Sequence, residues 1–420
     1  MSGRRRRREA GGEGQIAWLG TRGEGAIESA QGPVYVPRTA PGDRVRYGLI
    51  ERRGGIRRAP LLEVLDAGPT RRPAPCPRAS RCGGCGLMHL AEDAQHAFKR
   101  MRVGRALSVF RDAKPELVAG DTLAYRARAR LAWRAGVVGY RAPRRHQLIP
   151  APECAVLVPA LDAVLPQLTA LALQGEGEVH LALRDGVPVV QLRSERPQPP
   201  AAYRALEAAV EEGRFAGAEL RVAGARATFG QAEERRPGPD GLPLVAPLGA
   251  FAQAHAALEG ELARAVVAAA APAPAGQRVL EVYAGHGLLT VGLARDAARL
   301  RAVERDADAV AACRENLAAR GLGADVRALD AAEAFTGAFR PQVLVLDPPR
   351  AGLAEARSSI VAARVPRVIY VSCEPSTLAG DLRAFAAAGY ALESATAYDL
   401  FPQTPHVEAL VVLEHTGRDC

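Results

Sequence analysis

Short apolar runs alternate with amphipathic stretches through residues 251–420. The runs RVLEV at 278–282, VLVL at 343–346 and VIYV at 368–371 are rich in β-branched residues, a composition typical of buried parallel strands. Residues 251–272 have the apolar periodicity of a helix and end at Pro272. This alternation predicts an α/β domain over residues 251–420, built on an open, mainly parallel sheet.

The N-terminal part of the chain has a different pattern, made of short alternating pieces separated by glycine and proline. Five such pieces lie between Gly14 and Asp66, and strands at this close spacing predict a small β-barrel over residues 12–70. A run of arginines at 4–8 predicts a disordered basic arm over residues 1–11. Residues 71–250 contain a cysteine cluster, then strands alternating with short helices, which predicts a central α+β domain.

The basic charge is concentrated near the N-terminus. The 420 residues hold 55 Lys plus Arg and 46 Asp plus Glu, a net charge of +9, and residues 1–80 hold 16 Arg against eight acidic residues. Such an excess indicates a polyanion as a partner, because guanidinium groups bind phosphates bidentately, and a small barrel with basic strands commonly binds RNA. The arginines expected on phosphate-contacting strand faces, with a solvated face as the alternative, are Arg44, Arg46, Arg52, Arg53, Arg57, Arg58, Arg126, Arg128 and Arg130.

The sequence predicts neither a membrane span nor a secretory signal. No apolar run is long enough to cross a bilayer, and the start, MSGRRRRREA, lacks the apolar segment that a signal peptide needs. We therefore expect a cytoplasmic monomer with no membrane partner. In a reducing compartment, the seven cysteines favour metal binding or catalysis over disulfides.

Three cysteines lie close together in CPRASRCGGC, with a C-x5-C-x2-C spacing. Cys76, Cys82 and Cys85 predict a metal site, because cysteines this close are rarely independent packing residues. Cys154 is the candidate fourth ligand, and the glycines at 83 and 84 allow the backbone to approach an inorganic centre closely. Four thiolates suit both a zinc ion and an iron–sulfur cluster, and the spacing does not decide between them.

A cofactor site is predicted after the strand RVLEV. Gly285 and Gly287 form a Gly-x-Gly turn between this strand and a helix, and Glu304 ends the next strand, 19 residues beyond Gly285. A carboxylate at this spacing typically binds ribose hydroxyls, and Asp330, which ends the following strand, is expected to meet an adenine. Thr290 stands where dinucleotide-binding loops have a third glycine, which favours S-adenosylmethionine over NAD.

Three side chains with acid–base or nucleophilic chemistry are predicted at one edge of the sheet. Asp347 follows VLVL, Cys373 follows VIYV and a serine, and Glu408 is predicted in a loop between two final antiparallel strands. A lone cysteine in such a place is more often a packing residue than a nucleophile. However, open α/β sheets hold their active sites at the carboxyl ends of the strands, so we predict that the thiol and both carboxylates share one site.

The motifs together resemble the S-adenosylmethionine-dependent RNA uracil-C5 methyltransferases over residues 12–415. The resemblance is carried, in order, by CPRASRCGGC with Cys154, YAGHG, DPPRAG, VSCEPSTLAGD and FPQTPHVE. It implies a Rossmann-like methyltransferase domain and places the cysteines in the branch with a 4Fe-4S cluster, which includes enzymes that modify 23S rRNA. The segment LGTRGEGAIE with GPVYVPRTAPGDRVR also resembles the TRAM domain, an OB-like RNA-binding module.

The resemblance implies a role for each site residue. Cys373 is expected to add to C6 of the uracil, and Glu408 to remove the C5 proton after methyl transfer. Asp347 is expected to orient the uracil or the cofactor. The remaining residues that match cofactor-binding positions are Gln253, Tyr283 and Glu304.

Some residues depart from the family pattern, and other functions stay open. Glu281 replaces the usual aspartate before the glycine loop, His255 an asparagine, and Gly380 an arginine. The alternatives are uridine methylation in tRNA, methylation of an exocyclic amine, because DPPR resembles the DPPY motif of those enzymes, and an RNA-binding assembly factor without catalysis.

Overall fold

The computed structural model describes residues 8–111, 113–143, 147–171, 173–250, 252–270, 277–335 and 338–417. The chain divides into two compact units, which are described separately. The first comprises residues 1–102, 141–146 and 403–405, and the second residues 103–140, 147–402 and 406–420. Within the described ranges, no helix is long and apolar enough to cross a membrane. The arginines at positions 4–7 lie outside these ranges.

The first unit is built mainly of short strands in two sheets. The elements are β1 (Arg8–Glu9), β2 (Gly12–Gln15), β3 (Trp18–Leu19), β4 (Gly25–Ile27), β5 (Val34–Val36), β6 (Arg44–Tyr47), β7 (Ile50–Arg53), β8 (Ile56–Arg58), β9 (Leu61–Asp66) and helix α1 (Glu92–Ala106). One sheet has the order β1-β7-β8-β5-β4-β3 and the other β2-β6-β9. There are more strands than the five predicted pieces, because single pieces such as DRVRYGLIERR hold two strands. Strand β1 lies inside the predicted arm and pairs with β7.

Ion pairs occupy most of the arginines predicted to form a basic face on these strands. Arg44 pairs with Glu13 and Asp66, and Arg46 pairs with Glu13 and Glu63. Arg57 and Arg58, with side chains 7% and 19% exposed, are paired as well, with Glu9 and Glu24. Of the six arginines, Arg52 and Arg53 are the exposed pair that makes no ion pair within the described ranges. The predicted basic face is therefore reduced to these two residues.

The first part of the second unit is a nine-stranded sheet with flanking helices. Strand β10 (Glu116–Val118) precedes this sheet in the chain and belongs to the eight-stranded sheet described below. The elements of the nine-stranded sheet and its helices are β11 (Ala129–Arg134), β12 (Val137–Arg141), β13 (Leu148–Pro150), α2 (Pro159–Asp162), α3 (Leu165–Ala170), β14 (Glu176–Arg184), β15 (Val187–Ser194), α4 (Pro200–Glu211), β16 (Gly217–Val222), β17 (Ala225–Gly230), β18 (Glu233–Pro237) and β19 (Pro243–Pro247). The order is β13-β12-β11-β14-β15-β16-β17, with β18 between β14 and β19. The prediction that Arg126, Arg128 and Arg130 share an outer face is wrong for Arg128, whose side chain is 13% exposed and pairs with Glu234.

The second part is an α/β layer structure around an eight-stranded sheet. Its elements are α5 (Ala256–Ala270), β20 (Arg278–Val282), α6 (Thr290–Asp296), β21 (Arg299–Glu304), α7 (Ala307–Ala318), β22 (Asp325–Ala328), the 3-10 helix η1 (Ala331–Glu333), β23 (Val343–Leu346), the 3-10 helix η2 (Ala354–Ala356), α8 (Arg357–Ala362), β24 (Arg367–Ser372), α9 (Pro375–Ala387), β25 (Tyr390–Tyr398) and β26 (Glu408–His415). The order is β10-β25-β26-β24-β23-β20-β21-β22, and the five neighbouring strands β24, β23, β20, β21 and β22 run parallel to one another. Strands β20, β23 and β24 are almost wholly buried because helices cover both faces, which explains their apolar sequences.

Candidate active site

Cys373 lies between a buried strand and a helix. Strand β24 ends at Ser372, Glu374 has extended backbone and caps helix α9 by accepting from the Ser376 N–H, and Pro375 is the first helical residue. Proline favours this position because the first N–H of a helix has no partner in any case. The thiol is half-buried at the sheet edge, as the sequence predicts.

Glu408 is brought to Cys373 by the pairing of two strands. It is the first residue of β26 and not, as predicted, part of a loop. Because β24 and β26 are antiparallel with Ser372 opposite Ala409, the next pair in this register is Cys373 and Glu408. Opposite residues in such a pair lie roughly 4.5–5.5 Å apart at Cα. Glu408 is fully buried.

Asp347 and Arg350 lie in the loop that follows the neighbouring strand, β23. Strand β23 runs parallel to β24 and pairs Leu346 with Tyr370, so Asp347 follows at the same edge. Burial, with a contribution from Glu259, raises the pKa of Asp347 to about 7. The exposed Arg350 guanidinium acts in the opposite direction, lowering the pKa of both Cys373 and Glu408.

The thiol and the carboxyl group of Glu408 both favour their protonated forms in the absence of ligands. Burial, and then the charge of Asp347, raises the pKa of Glu408 to about 8, although a hydrogen bond from Gln253 opposes this. Burial, Glu408 and Asp347 raise the pKa of Cys373 to about 12. A positive charge bound among these groups would lower all three pKa values.

Gln253 is buried beside Glu408 and is hydrogen-bonded to it. Its Nε2 donates to Glu408 Oε1 at 3.1 Å. Gln253 Oε1 and Glu408 Oε2 are buried and have no hydrogen-bond partner among the described residues. Buried acceptors are nearly always satisfied in a working protein, so a ligand that donates hydrogen bonds fits here.

The glycine loop is shaped by two left-handed residues and by Glu304. Gly285 has φ +57° with open space around it, whereas a Cβ on Gly287, with φ +93°, would lie 2.9 Å from Cys313 Sγ. Only glycine therefore permits the loop to pack this closely on α7. Glu304 accepts from the N–H groups of Gly285 at 3.1 Å and of Arg305 and Asp306 at 2.8 Å, which fixes the carboxylate beside the loop.

The remaining predicted cofactor residues lie along the same edge. Tyr283 is half-buried, has φ +68°, and its hydroxyl pKa is raised to about 12 by burial and by nearby acids that include Asp330. Asp330 is exposed and caps η1 by accepting from Ala332 N–H. Beneath the loop, burial raises the pKa of Glu281 to about 8. The edge is therefore acidic, which suits a cationic cofactor and not a pyrophosphate.

The predicted metal ligands are divided between the two units. Cys76, Cys82 and Cys85 belong to the first unit and Cys154 to the second, and all four are half-buried. Gly84 N–H donates to Cys82 Sγ at 3.3 Å, and a Cβ on Gly83 would lie 2.5 Å from Arg141 O. Within the described ranges, no group of three or more His, Cys, Asp or Glu residues is arranged to hold a metal ion.

Two buried acids near the site were not predicted from the sequence. Asp381, in α9, accepts from Tyr370 Oη at 2.6 Å and from Leu353 N at 3.1 Å, which fixes the loop after Asp347. Glu259, in α5, accepts from Gln253 N at 2.9 Å. The sequence does contain a signal for Glu259, which is a charged residue on an otherwise apolar helical face. The apolar residues of that face are Leu258, Leu262, Ala263 and Val266.

The fold and the site define the class. An open sheet with one antiparallel strand, β26, inserted beside β24, a glycine loop after the first strand and acids at the next strand ends is the architecture of a nucleoside-cofactor enzyme. A thiol opposite a carboxyl group is chemically suited to nucleophilic attack followed by proton removal.

Comparisons with known proteins narrow the class to a family. Residues 247–416 match the model of the tRNA (uracil-5-)-methyltransferase family. The chain is 32% identical over 440 residues to the 23S rRNA (uracil(1939)-C(5))-methyltransferase RlmD of Halomonas elongata, covering 97% of this chain and 91% of that protein. It is 34% identical to the RlmD of Pseudomonas entomophila, covering 90% and 88%. The chain belongs to the S-adenosylmethionine-dependent RNA uracil-C5 methyltransferases.

A solved structure shares the fold. The Pyrococcus abyssi tRNA (uracil-54, C5)-methyltransferase, in complex with S-adenosyl-L-homocysteine, matches with a TM-score of 0.78 and 23% identity, over 96% of this chain and all of that one. The predicted family is thus confirmed, and the α/β fold with it.

Proposed function

We propose that this enzyme methylates C5 of a uridine in 23S rRNA, with S-adenosylmethionine as the methyl donor. The relatives that cover about nine-tenths of both chains are named as 23S rRNA enzymes, whereas the tRNA enzyme with the same fold is only 23% identical. Ribosomal RNA is therefore the better supported substrate, and tRNA is the alternative.

The proposed mechanism begins at Cys373. Its thiolate bonds to C6 of the uracil, and the ring electrons then form an enolate that attacks the sulfonium methyl group from C5. Glu408 removes the C5 proton, and the electron pair expels the thiolate from C6. The observation that carries this assignment is the register of β24 and β26, in which the thiol and the carboxyl group follow as one opposed pair.

The cofactor residues follow the same edge. Gly285, Gly287 and Tyr283 would hold the amino-acid part, and Glu304 and Asp330 the ribose and adenine. Asp347 and Gln253 are proposed to lie between the cofactor and the uracil. This proposal is supported by the row of acids and by the buried acceptors without partners. The sulfonium of the cofactor would supply a positive charge to the acids, and its ammonium group would donate hydrogen bonds to the acceptors.

Trapping tests the mechanism directly. RNA containing 5-fluorouridine should form a denaturation-resistant adduct with the wild-type enzyme in the presence of cofactor, because fluorine at C5 cannot leave as a proton. Cys373→Ala should form none, while Cys313→Ala, which removes a buried thiol of α7, should still do so. Glu408→Gln should accumulate the adduct even on ordinary RNA, and Glu414→Gln on the same strand should turn over normally. Full methyl transfer by Cys373→Ala would instead support methylation of an exocyclic amine.

The RNA itself is identified by mapping. Cells lacking the enzyme should lose one 5-methyluridine from 23S rRNA, and the wild-type gene should restore it. Loss from tRNA alone would transfer the activity to the alternative substrate. A wild-type protein that binds RNA without methylating any uridine would leave only the role of an assembly factor.

We further propose that Cys76, Cys82, Cys85 and Cys154 hold a 4Fe-4S cluster. Four thiolates satisfy the ligand requirement, and an N–H donor to Cys82 Sγ is a contact that cluster sulfurs commonly receive. The cluster would brace the chain around these residues, and no step of methyl transfer requires it. Anaerobically purified protein should be brown and contain iron and sulfide, and Cys154→Ser should lose both. Colourless protein with stoichiometric zinc would replace the cluster with a zinc site.

A further inference from the structure

Four charged side chains form a buried network behind the site. Arg236, on β18, donates through Nε and Nη2 to the two oxygens of Glu259, each at 2.9 Å. It also donates to Glu234, which pairs with Arg128 at 2.5 Å. The four side chains are between 3% and 13% exposed. Two arginines and two glutamates make the network neutral, so its burial leaves no net charge uncompensated.

The network holds the backbone that carries Gln253. Glu259 Oε1 accepts from Gln253 N–H at 2.9 Å. Arg128 donates to the carbonyl groups of Ala252 and Ala250, each at 3.0 Å. Three backbone groups of one short segment are therefore bound by charged side chains, which sets the position from which Gln253 donates to Glu408.

The same network contacts the glycine loop. Arg236 Nη2 lies 3.5 Å from His286 Nε2, and His286, which stands between the two loop glycines, is 4% exposed. Burial, Arg236 and Arg128 hold the pKa of His286 well below its usual range, so the ring is neutral and Nε2 accepts. Asn316 fixes the other side of the loop by donating to His286 O at 2.9 Å.

We propose, on the basis of the function above, that Arg236 and Glu259 are positioning residues that hold Gln253 against Glu408 and align the glycine loop with it. Neither side chain is proposed to touch a substrate. The guanidinium of Arg236 connects the segment that orients the general base, Glu408, with the glycine loop that is proposed to bind the cofactor. Its planar fork fixes the geometry of both. A buried ion pair adds little net stability, because the cost of desolvation offsets the attraction. The network's contribution therefore lies in geometry.

Kinetics of conservative variants test the proposal. Glu259→Gln and Arg236→Lys should lower kcat roughly 10- to 100-fold, the effect of small misplacements in an active site, with little change in KM for RNA. The matched controls are Glu261→Gln, exposed on the same helix, and Arg235→Lys, on the same strand and paired with Asp185. Both controls should retain wild-type kcat. Wild-type kcat in Glu259→Gln and Arg236→Lys would overturn the proposal.

The pH profile separates positioning from stability. The charged and titratable groups around Glu408 are Asp347, Arg350 and Cys373, and Gln253 is its hydrogen-bond donor. If Glu259→Gln displaces Gln253, Glu408 loses a donor that favours its ionised form, and the midpoint of the kcat profile moves to higher pH. Gln253→Ala should give the same shift, and the double variant no further one.

Each outcome decides one of the two proposals. A lower melting temperature with an unmoved pH midpoint would assign the network to stability and overturn positioning. Should Glu259→Gln fail to fold, Arg236→Lys, which keeps the charge but loses the fork, gives the same readout. If wild-type enzyme forms no 5-methyluridine, the proposed function is at fault; if it does and the variants match it, only the positioning proposal fails.

Discussion

Replacing Asp381 by alanine tests how the loop that carries Asp347 and Arg350 is held. Asp381 is fully buried in α9 and accepts from Tyr370 Oη, Leu353 N and Arg357 Nε. The same helix binds the loop a second time, because Thr377 Oγ1 donates to Arg350 O at 3.0 Å. Removing the Asp381 carboxylate leaves the Thr377 contact but frees the loop at Leu353.

The magnitude follows from the donors left behind. The hydroxyl of Tyr370 and the N–H of Leu353 are both buried, with relative exposures of 0% and 1% for their residues, and each orphaned donor costs about 1–3 kcal/mol. Arg357 is 39% exposed and turns to water, so its lost pair adds little. We expect about 2–6 kcal/mol of destabilisation from these two donors. Asp381→Asn keeps one acceptor oxygen and should cost less.

Three measurements check this expectation. The urea midpoint of Asp381→Ala should fall, and amide hydrogen exchange should increase in residues 347–353 more than elsewhere. The midpoint is the appropriate quantity, because a chain with several units need not unfold in two states. Methyl transfer should fall too, because the loop carries Asp347 and Arg350. Asp308→Ala, an exposed acid of α7, is the control. An unchanged midpoint with unchanged loop exchange would refute the role given to Asp381.

Four further predictions concern the site and the RNA. Because the pKa of Glu408 in the ligand-free enzyme is raised to about 8, kcat/KM, which reports the groups of the free enzyme, should rise with pH through that value; a flat kcat/KM profile from pH 6 to 9 would contradict a base at 408. The raised pKa of Glu281, about 8, means that the folded state keeps a proton that the unfolded state loses above about pH 4.5, so stability falls as pH rises between these values. As pH rises from 5 to 8, the melting temperature of Glu281→Gln should therefore increase relative to that of the wild type. The melting temperature of the exposed control, Glu315→Gln, should not. Gly287→Ala should weaken cofactor binding more than Gly285→Ala, because its Cβ meets Cys313 Sγ; Cys313→Ala should partly restore it, and equal losses would exclude the clash. Arg52→Ser with Arg53→Ser should reduce the salt dependence of RNA binding by roughly one to two phosphate contacts, whereas Arg44→Ser with Arg46→Ser, already paired with acids, should change it less.

The sequence was sufficient to predict the parallel part of the fold. Strands β20, β23 and β24 are buried on both faces, so their apolar runs identify them without knowledge of their partners. Because such strands end at one edge, the meeting of Asp347 and Cys373 also follows from sequence. These predictions rest on local composition and on one rule of topology.

Other features depend on pairing between distant segments and could not be predicted. The sequence pattern predicts Glu408 in a loop between two final strands, yet β26 begins with it. Strand β10 joins the methyltransferase sheet through pairing of Glu116 with Thr396, which lies far away in the chain. Arg128 alternates with apolar residues as an outward side chain does, but Glu234 turns it inward. In each case the deciding partner is remote in sequence.

From the electrostatics of the site, we expect the thiol of Cys373 and the proposed base, Glu408, to react little without a cofactor. Burial and mutual repulsion among Asp347, Glu408 and Cys373 keep both reacting groups protonated, and Arg350 offsets this only in part. A sulfonium bound at the same edge adds a positive charge in a low-dielectric site, where it lowers each of these pKa values. We therefore expect the thiolate to form chiefly when the methyl donor is present, and a covalent adduct with uracil to form only when methyl transfer can resolve it. Cofactor binding and nucleophile activation are, on this reasoning, one electrostatic event.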